Sequence, residues 1–209
     1  MSLVNTVDLA DIGPGFANPV HAAQQVFRVV LDALARPGRI LTVEADSPPP
    51  AGVGHAANAA LLALLDQDTT LYVSPNIGEA AARHFRFHTG CRATPRIEDA
   101  DFILLAAGDA WPGSTALKLG SEYSPEQGAT VVREVGGFDS GLPLVLTGPG
   151  IADTQALQSP ALDGDFVADW QALRGQFPRG VDLILTSGAT LVGLPRSTRI
   201  RAVTEVACT

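Results

Sequence analysis

Between Arg83 and Arg96 the chain carries Arg83, His84, Arg86, His88, Arg92 and Arg96 with no acidic residue among them, although its formal net charge is -8. If residues 84 to 88 are extended, His84, Arg86 and His88 share one face while Phe85 and Phe87 pack the other. Such a cationic strip could hold phosphate oxygens; a solvated basic edge with acidic neighbours explains the same residues. His84 and His88 stand four apart, a helical ligand spacing, but H-E-x-x-H is absent and an arginine lies between them, so no metal is assigned.

A second basic group, Pro195-Arg196-Ser197-Thr198-Arg199 with Arg201, follows an apolar strand-like run. Hydroxyls and guanidinium forks there could bind an anion together, or the charges could protect an edge strand from aggregation. These two groups hold half of the basic residues. Thr147-Gly148-Pro149-Gly150 permits a tight turn whose amides could approach a ligand, and an ordinary turn explains the same residues; G-x-x-x-x-G-K-[ST] is missing, so no self-sufficient nucleotide triphosphate site is expected. G-x-S-x-G is also missing, and Ser187-Gly188 reads as a hairpin turn. No carboxylate spacing marks an acid/base couple; Asp182 either caps a turn or binds an arginine.

These side chains need a scaffold, and the 3.6- and 2-residue periods supply one. Residues 18 to 36 form the clearest helix, with Asn18 as N-cap, Pro19 at the first position, and Val26, Val30, Leu34, Phe27 and Leu31 as its apolar stripe. Pro37-Gly38 ends it. A strand at 40–43, a loop at 47–54, a buried helix at 55–65 and a strand at 71–73 follow. Ser74-Pro75 is expected to cap a third helix. Strands are expected at 102–106, 129–135 and 142–146, and a helix at 165–173 ending near Gly175. Residues 181–186 and 190–194 read as a hairpin, with 200–206 as a closing strand. The result is an α/β fold with a mixed sheet, in one domain over 1–209.

Composition narrows the function. With 46% hydrophobic and 17% charged residues in 209, the chain can bury a full core. Its acidic balance excludes a nucleic-acid surface, so any anion site is local. Two distant cysteines, Cys91 and Cys208, suggest neither disulfides nor a zinc ribbon and fit a reducing cytoplasm. Asp8 and Asp11 stand where a secretory signal would be basic, and no apolar run reaches membrane-spanning length, so neither export nor insertion is expected. Thirteen of the fourteen basic residues are arginine, and Lys118 is the sole lysine.

In order along the chain, Phe27-Arg28 through Leu34-Ala35-Arg36-Pro37-Gly38, Leu64-Leu65-Asp66-Gln67-Asp68-Thr69, Phe85-Arg86-Phe87-His88-Thr89-Gly90, Pro125-Glu126 with Gly128-Ala129-Thr130, Leu146-Thr147-Gly148-Pro149-Gly150-Ile151, and Phe177 to Leu185 with Leu194-Pro195-Arg196-Ser197-Thr198 resemble the PhnH family of the bacterial carbon-phosphorus lyase system. The motifs span most of the chain. One departure is Ser197, where the family more typically has threonine.

The resemblance implies a three-layer α/β sandwich similar to pyridoxal-phosphate-dependent transferases but without the cofactor, and a homodimer. Lys118, in a Gly/Pro-rich stretch, is the one residue able to form a Schiff base. It also implies work with PhnG, PhnI and PhnJ, on a reaction in which MgATP and an alkylphosphonate give a ribose 1-phosphonate 5-triphosphate and adenine. That displacement at the ribose C1 needs anion positioning and charge stabilisation more than a protein nucleophile. The candidate anion- or partner-binding residues are Arg86, His88, Thr89, Arg179, Arg196, Ser197, Thr198 and Arg199; no catalytic residue is assigned. A self-contained phosphoryl or glycosyl transferase and a phosphonate- or nucleotide-binding module are the alternatives.

Overall fold

A computed structural model describes residues 12–203, which leaves Asp8, Asp11, Cys208 and the end of the expected 200–206 strand outside the described residues. Helix α1 (Pro19–Ala35) starts as the sequence predicts: the Asn18 side chain accepts from the His21 amide at 3.4 Å, and Pro19 needs no acceptor. Its buried stripe is narrower than expected. Val26, Val30 and Ala33 are buried, whereas Phe27 and Leu31 point outward.

The main sheet has seven strands: β1 (Leu41–Thr42), β2 (Thr70–Val73), β3 (Arg92–Ala93), β4 (Phe102–Leu105), β5 (Thr130–Glu134), β8 (Asp182–Ser187) and β9 (Thr190–Leu194). Their order is β1-β9-β8-β5-β4-β2-β3. The run from β3 to β8 is parallel, while β9 is antiparallel to both β8 and β1. Residues alternate between two buried faces, as parallel strands covered on both sides require. Leu71, Leu104, Val132, Ile184 and Leu191 face α1, α2 (His55–Leu64) and α3 (Glu79–Thr89). Ile103, Val131, Leu183, Leu185 and Val192 face the other layer.

That other layer combines α4 (Gly164–Arg174) with a three-stranded antiparallel sheet of order β10-β6-β7, made from β6 (Leu144–Thr147), β7 (Gln155–Leu157) and β10 (Arg199–Ala202). The mixed sheet and helix-covered α/β plan match the expectation; the second sheet does not. The strand after the hairpin leaves the main sheet to pair with β6, Ile200 opposite Leu146. Local alternation signals a strand but not which neighbour it joins.

Two further expectations need correction. Ser74-Pro75 makes a turn, with Ser74 Oγ accepting from the Asn76 amide at 3.2 Å, and the helix begins only at Glu79 after Gly78. Residues 84–88 are not extended but lie within α3: Phe85 is buried, Phe87 is exposed, and Gly90 in the left-handed region ends the helix. Two aromatics two apart suit a strand period, but the preceding Ala80-Ala81-Ala82 run favours helix propagation through them.

Small residues set the layer spacing. A Cβ at Gly193 would stand 2.6 Å from the Ala33 carbonyl carbon, so its absence lets α1 lie directly on β9.

Candidate functional site

The candidate residues fall into two groups that the fold keeps apart. Arg86, His88 and Thr89 lie at the end of α3, which packs on β2 and β3 at one margin of the sheet. Arg179, Arg196, Ser197, Thr198 and Arg199 lie around β8, β9 and β10. In the main sheet β5 and β4 separate β8 from β2, which is about 14 Å at ordinary strand spacing.

Three of these eight side chains, those of His88, Thr89 and Arg196, are bonded within the described residues. Thr89 Oγ1 donates to the Phe85 carbonyl at 2.7 Å and accepts from the Cys91 amide at 3.2 Å. His88 Nε2 meets the Gly13 carbonyl at 3.1 Å, while the buried His84 Nδ1 meets that of Ile12 at 2.7 Å. The two imidazoles, 4.6 Å apart, fasten the 12–17 segment to α3. Burial, aided by the His88 charge and resisted by the bond to Ile12, holds the His84 pKa below its usual value.

Arg196 answers the question left open at Asp182: its Nη2 and Nε bond the carboxylate at 2.7 and 3.2 Å, its amide adds a bond at 2.9 Å, and its Nη1 also bonds the Pro125 carbonyl. Ser197 accepts from Arg174 at 3.0 Å and Thr198 from the Trp170 indole at 2.9 Å, both through their carbonyls. Arg199 is exposed on β10, and Arg179 is half-buried beside Trp170 and Arg196.

The motifs quoted in sequence order therefore meet in space as pairs. Gly150 packs on the Ala35 carbonyl and Pro37, joining the 146–151 motif to the end of α1. Arg92, just past the 85–90 motif, donates to the Asp68 carbonyl at 2.8 Å, and Gly90 abuts Gln67. Gly128 sits against the Gly180 carbonyl near the Arg196–Asp182 pair. Each pair clasps distant parts of the chain.

A cleft of about 520 Å³ opens elsewhere, at the C-terminal edge of β4 and β5, where open α/β sheets bind ligands. The 107–113 loop, Gly136, residues 160–161 and the start of α4 line it, and Arg133 forms its floor. Arg133 is 4% exposed, bonding the carbonyls of Asp109 at 2.7 Å and Ala161 at 2.9 Å. Its buried Nε has no acceptor among the described residues. Burial pulls the Arg133 pKa down, against the charges of Asp163 and Asp109.

On the rim, Asp169 accepts from the Trp111 indole at 2.7 Å and from the Ser114 amide and hydroxyl at 2.9 and 2.7 Å. Asp163 caps α4 by accepting from the Phe166 amide at 2.9 Å. Burial works to raise the Asp109 pKa, but bonds from Ser74, Asn76 and the Ala106 amide outweigh it. On the opposite sheet face the neighbouring Glu134 accepts from the Gly54 amide at the start of α2, and burial raises its pKa despite that bond. Sequence reading passed over this cleft. The available signal was an Arg-Glu pair ending the apolar run from Ala129 to Val132.

The layers define an α/β protein with a mixed seven-stranded sheet, a small antiparallel sheet and a cleft lined by one arginine and four aspartates. Comparison with known sequences gives the family. The profile described as "Bacterial phosphonate metabolism protein (PhnH)" matches residues 14–201, and the chain belongs to that family. It is 38% identical over 186 residues to the "Alpha-D-ribose 1-methylphosphonate 5-triphosphate synthase subunit PhnH" of Rhizobium meliloti (strain 1021), covering 88% of this chain and 93% of the relative. It is 36% identical over 179 residues to the "Putative C-P lyase subunit protein HtxG" of Stutzerimonas stutzeri, covering 85% of each. Among the described residues no helix is long and apolar enough to cross a membrane.

Proposed function

We propose that this chain is a non-autonomous subunit of a carbon-phosphorus lyase core complex, acting with PhnG, PhnI and PhnJ. Its role is to support formation of α-D-ribose 1-methylphosphonate 5-triphosphate from MgATP and methylphosphonate with release of adenine, in the cytoplasm. The observation that carries this reading is the near full-length similarity to a synthase subunit. The internal bonding of the motifs' polar side chains also supports a part that shapes an assembly.

Subunits need faces to give to partners, and α1 has one. Val20, Phe27 and Leu31 are 78%, 49% and 56% exposed and, seven and four residues apart, fall on one side of the helix. This face supports assembly, either as the homodimer or against another subunit.

We further propose that the pyridoxal-transferase likeness extends to the scaffold and not to the cofactor. Lys118 Nζ is bonded to Asp101 at 2.6 Å, just before β4, and so lies at the sheet edge opposite the cleft. Asp101 is held by Thr70 as well.

Co-expression with PhnG, PhnI and PhnJ and capture through a tag on this chain tests the reading. Stoichiometric recovery of all four is expected. Recovery of this chain alone, with the other three soluble and assembled, would overturn it.

A further inference from the structure

We propose that the cleft over Arg133 is a binding site for a small molecule carrying a single phosphonate or phosphate group. The assignment starts from an electrostatic imbalance. A guanidinium has five N–H donors and a charge that burial penalises unless it is matched. Arg133 spends its terminal nitrogens on two neutral carbonyls, at 2.7 and 2.9 Å, its Nε has no acceptor, and no carboxylate lies within ion-pair distance of it among the described residues. Asp163 and Asp109 act on this charge only from beyond ion-pair distance, and a tetrahedral oxyanion on the cleft floor would meet it in direct contact, as arginine forks do for phosphoryl groups.

The walls set the size and charge of the occupant. About 520 Å³ is room for a small molecule, and added Cβ atoms at Gly108, Gly113 and Gly136 would meet nothing within 4 Å, so the backbone there is open to approach. The rim is acidic, with Asp109, Asp163, Asp165 and Asp169. Three of these carboxylates are already held by internal hydrogen bonds, which keep their charges in place rather than turned away. A polyanion such as a nucleoside triphosphate would be repelled at the mouth. A single oxyanion reaching Arg133, with an amine or hydroxyl left at the acidic rim, satisfies both ends. Naming a phosphonate as the preferred head group rests on the subunit reading above; the single-anion site itself does not.

The test is titration of the isotope-labelled full chain with 2-aminoethylphosphonate, methylphosphonate, inorganic phosphate and ATP, following the amide signals of Gly108, Gly113 and Gly136. Saturable shifts are expected with the single-anion compounds, strongest for 2-aminoethylphosphonate, and binding of ATP at least about tenfold weaker. Arg133→Gln should lose at least about tenfold in affinity, the loss of a bond to a charged group.

Because that variant also releases the two loop carbonyls, the exposed Asp165→Lys provides a second arm: it should tighten phosphate and narrow the ATP deficit. No saturable shift from any compound, ATP binding as well as the single anions, or Asp165→Lys without effect would each overturn the site. Phosphate binding with both phosphonates inert would overturn the phosphonate assignment. Tagged-capture results are independent of these titrations, so loss of the complex reading and loss of the ligand site are separately visible.

Discussion

Asp182 and Arg196, fourteen residues apart, face each other across the start of the β8–β9 hairpin, joined by two guanidinium bonds and one from the arginine's own amide. With only 15% and 26% of the two side chains exposed, the pair is better shielded than a surface bridge. Arg196→Ala removes the guanidinium donors from the carboxylate and from the Pro125 carbonyl, keeps only the backbone amide's bond to Asp182, and should cost about 2–4 kcal/mol. Urea unfolding measures it; a loss under about 0.5 kcal/mol would show the pair to be idle.

Glu134 makes the opposite prediction. Its pKa is raised in the folded chain, so the folded state holds the proton more tightly than the unfolded state and stability falls as pH rises above the ordinary glutamate range. Glu134→Gln retains an oxygen for the Gly54 amide and removes the charge. Unfolding measured from pH 4.5 to 7 should show the variant at least as stable as the parent at pH 7, with that downward trend removed.

His84 acts at the other end of the range. Its pKa is lowered, so the folded state favours the neutral ring and stability falls as pH drops through and below the ordinary histidine value. His84→Asn can still donate to the Ile12 carbonyl without titrating. Hydrogen exchange of residues 12–17 should accelerate from pH 7 to pH 5 in the parent, after correction for the intrinsic rate, and much less in the variant.

At Gly193 the added methyl of Gly193→Ala meets the α1 backbone, which cannot rotate aside, and about 1–3 kcal/mol should be lost on unfolding. Gly108→Ala, with nothing within 4 Å, is the control and should change stability by less than about 0.5 kcal/mol.

On α1, Phe27→Ser with Leu31→Ser removes exposed apolar surface that no described residue covers. Stability should change by less than about 1 kcal/mol, while tagged capture of the partner subunits or recovery of the homodimer, measured by size, drops sharply. Unchanged capture and unchanged size would separate this face from assembly.

What the sequence determined by itself is what is decided within a few residues. The Asn18-Pro19 start of α1, the alanine-rich α2, the body of α4 over 165–173 with its end near Gly175, and the Ser187-Gly188 hairpin all follow from caps, turn residues and short-range periodicity, which act over one or two turns of chain. The ordered motifs likewise carried the family. Tertiary structure decided the rest. Five residues around Phe85 and Phe87 satisfy either period, and the helix won because its preceding turns propagate through them. Whether β10 joins the main sheet or β6, whether Arg196 holds Asp182 or a ligand, and whether Arg133 finds a carboxylate are questions about groups brought together from distant parts of the chain. Burial and the positions of partners fix those energies, and neither is defined until the layers have closed.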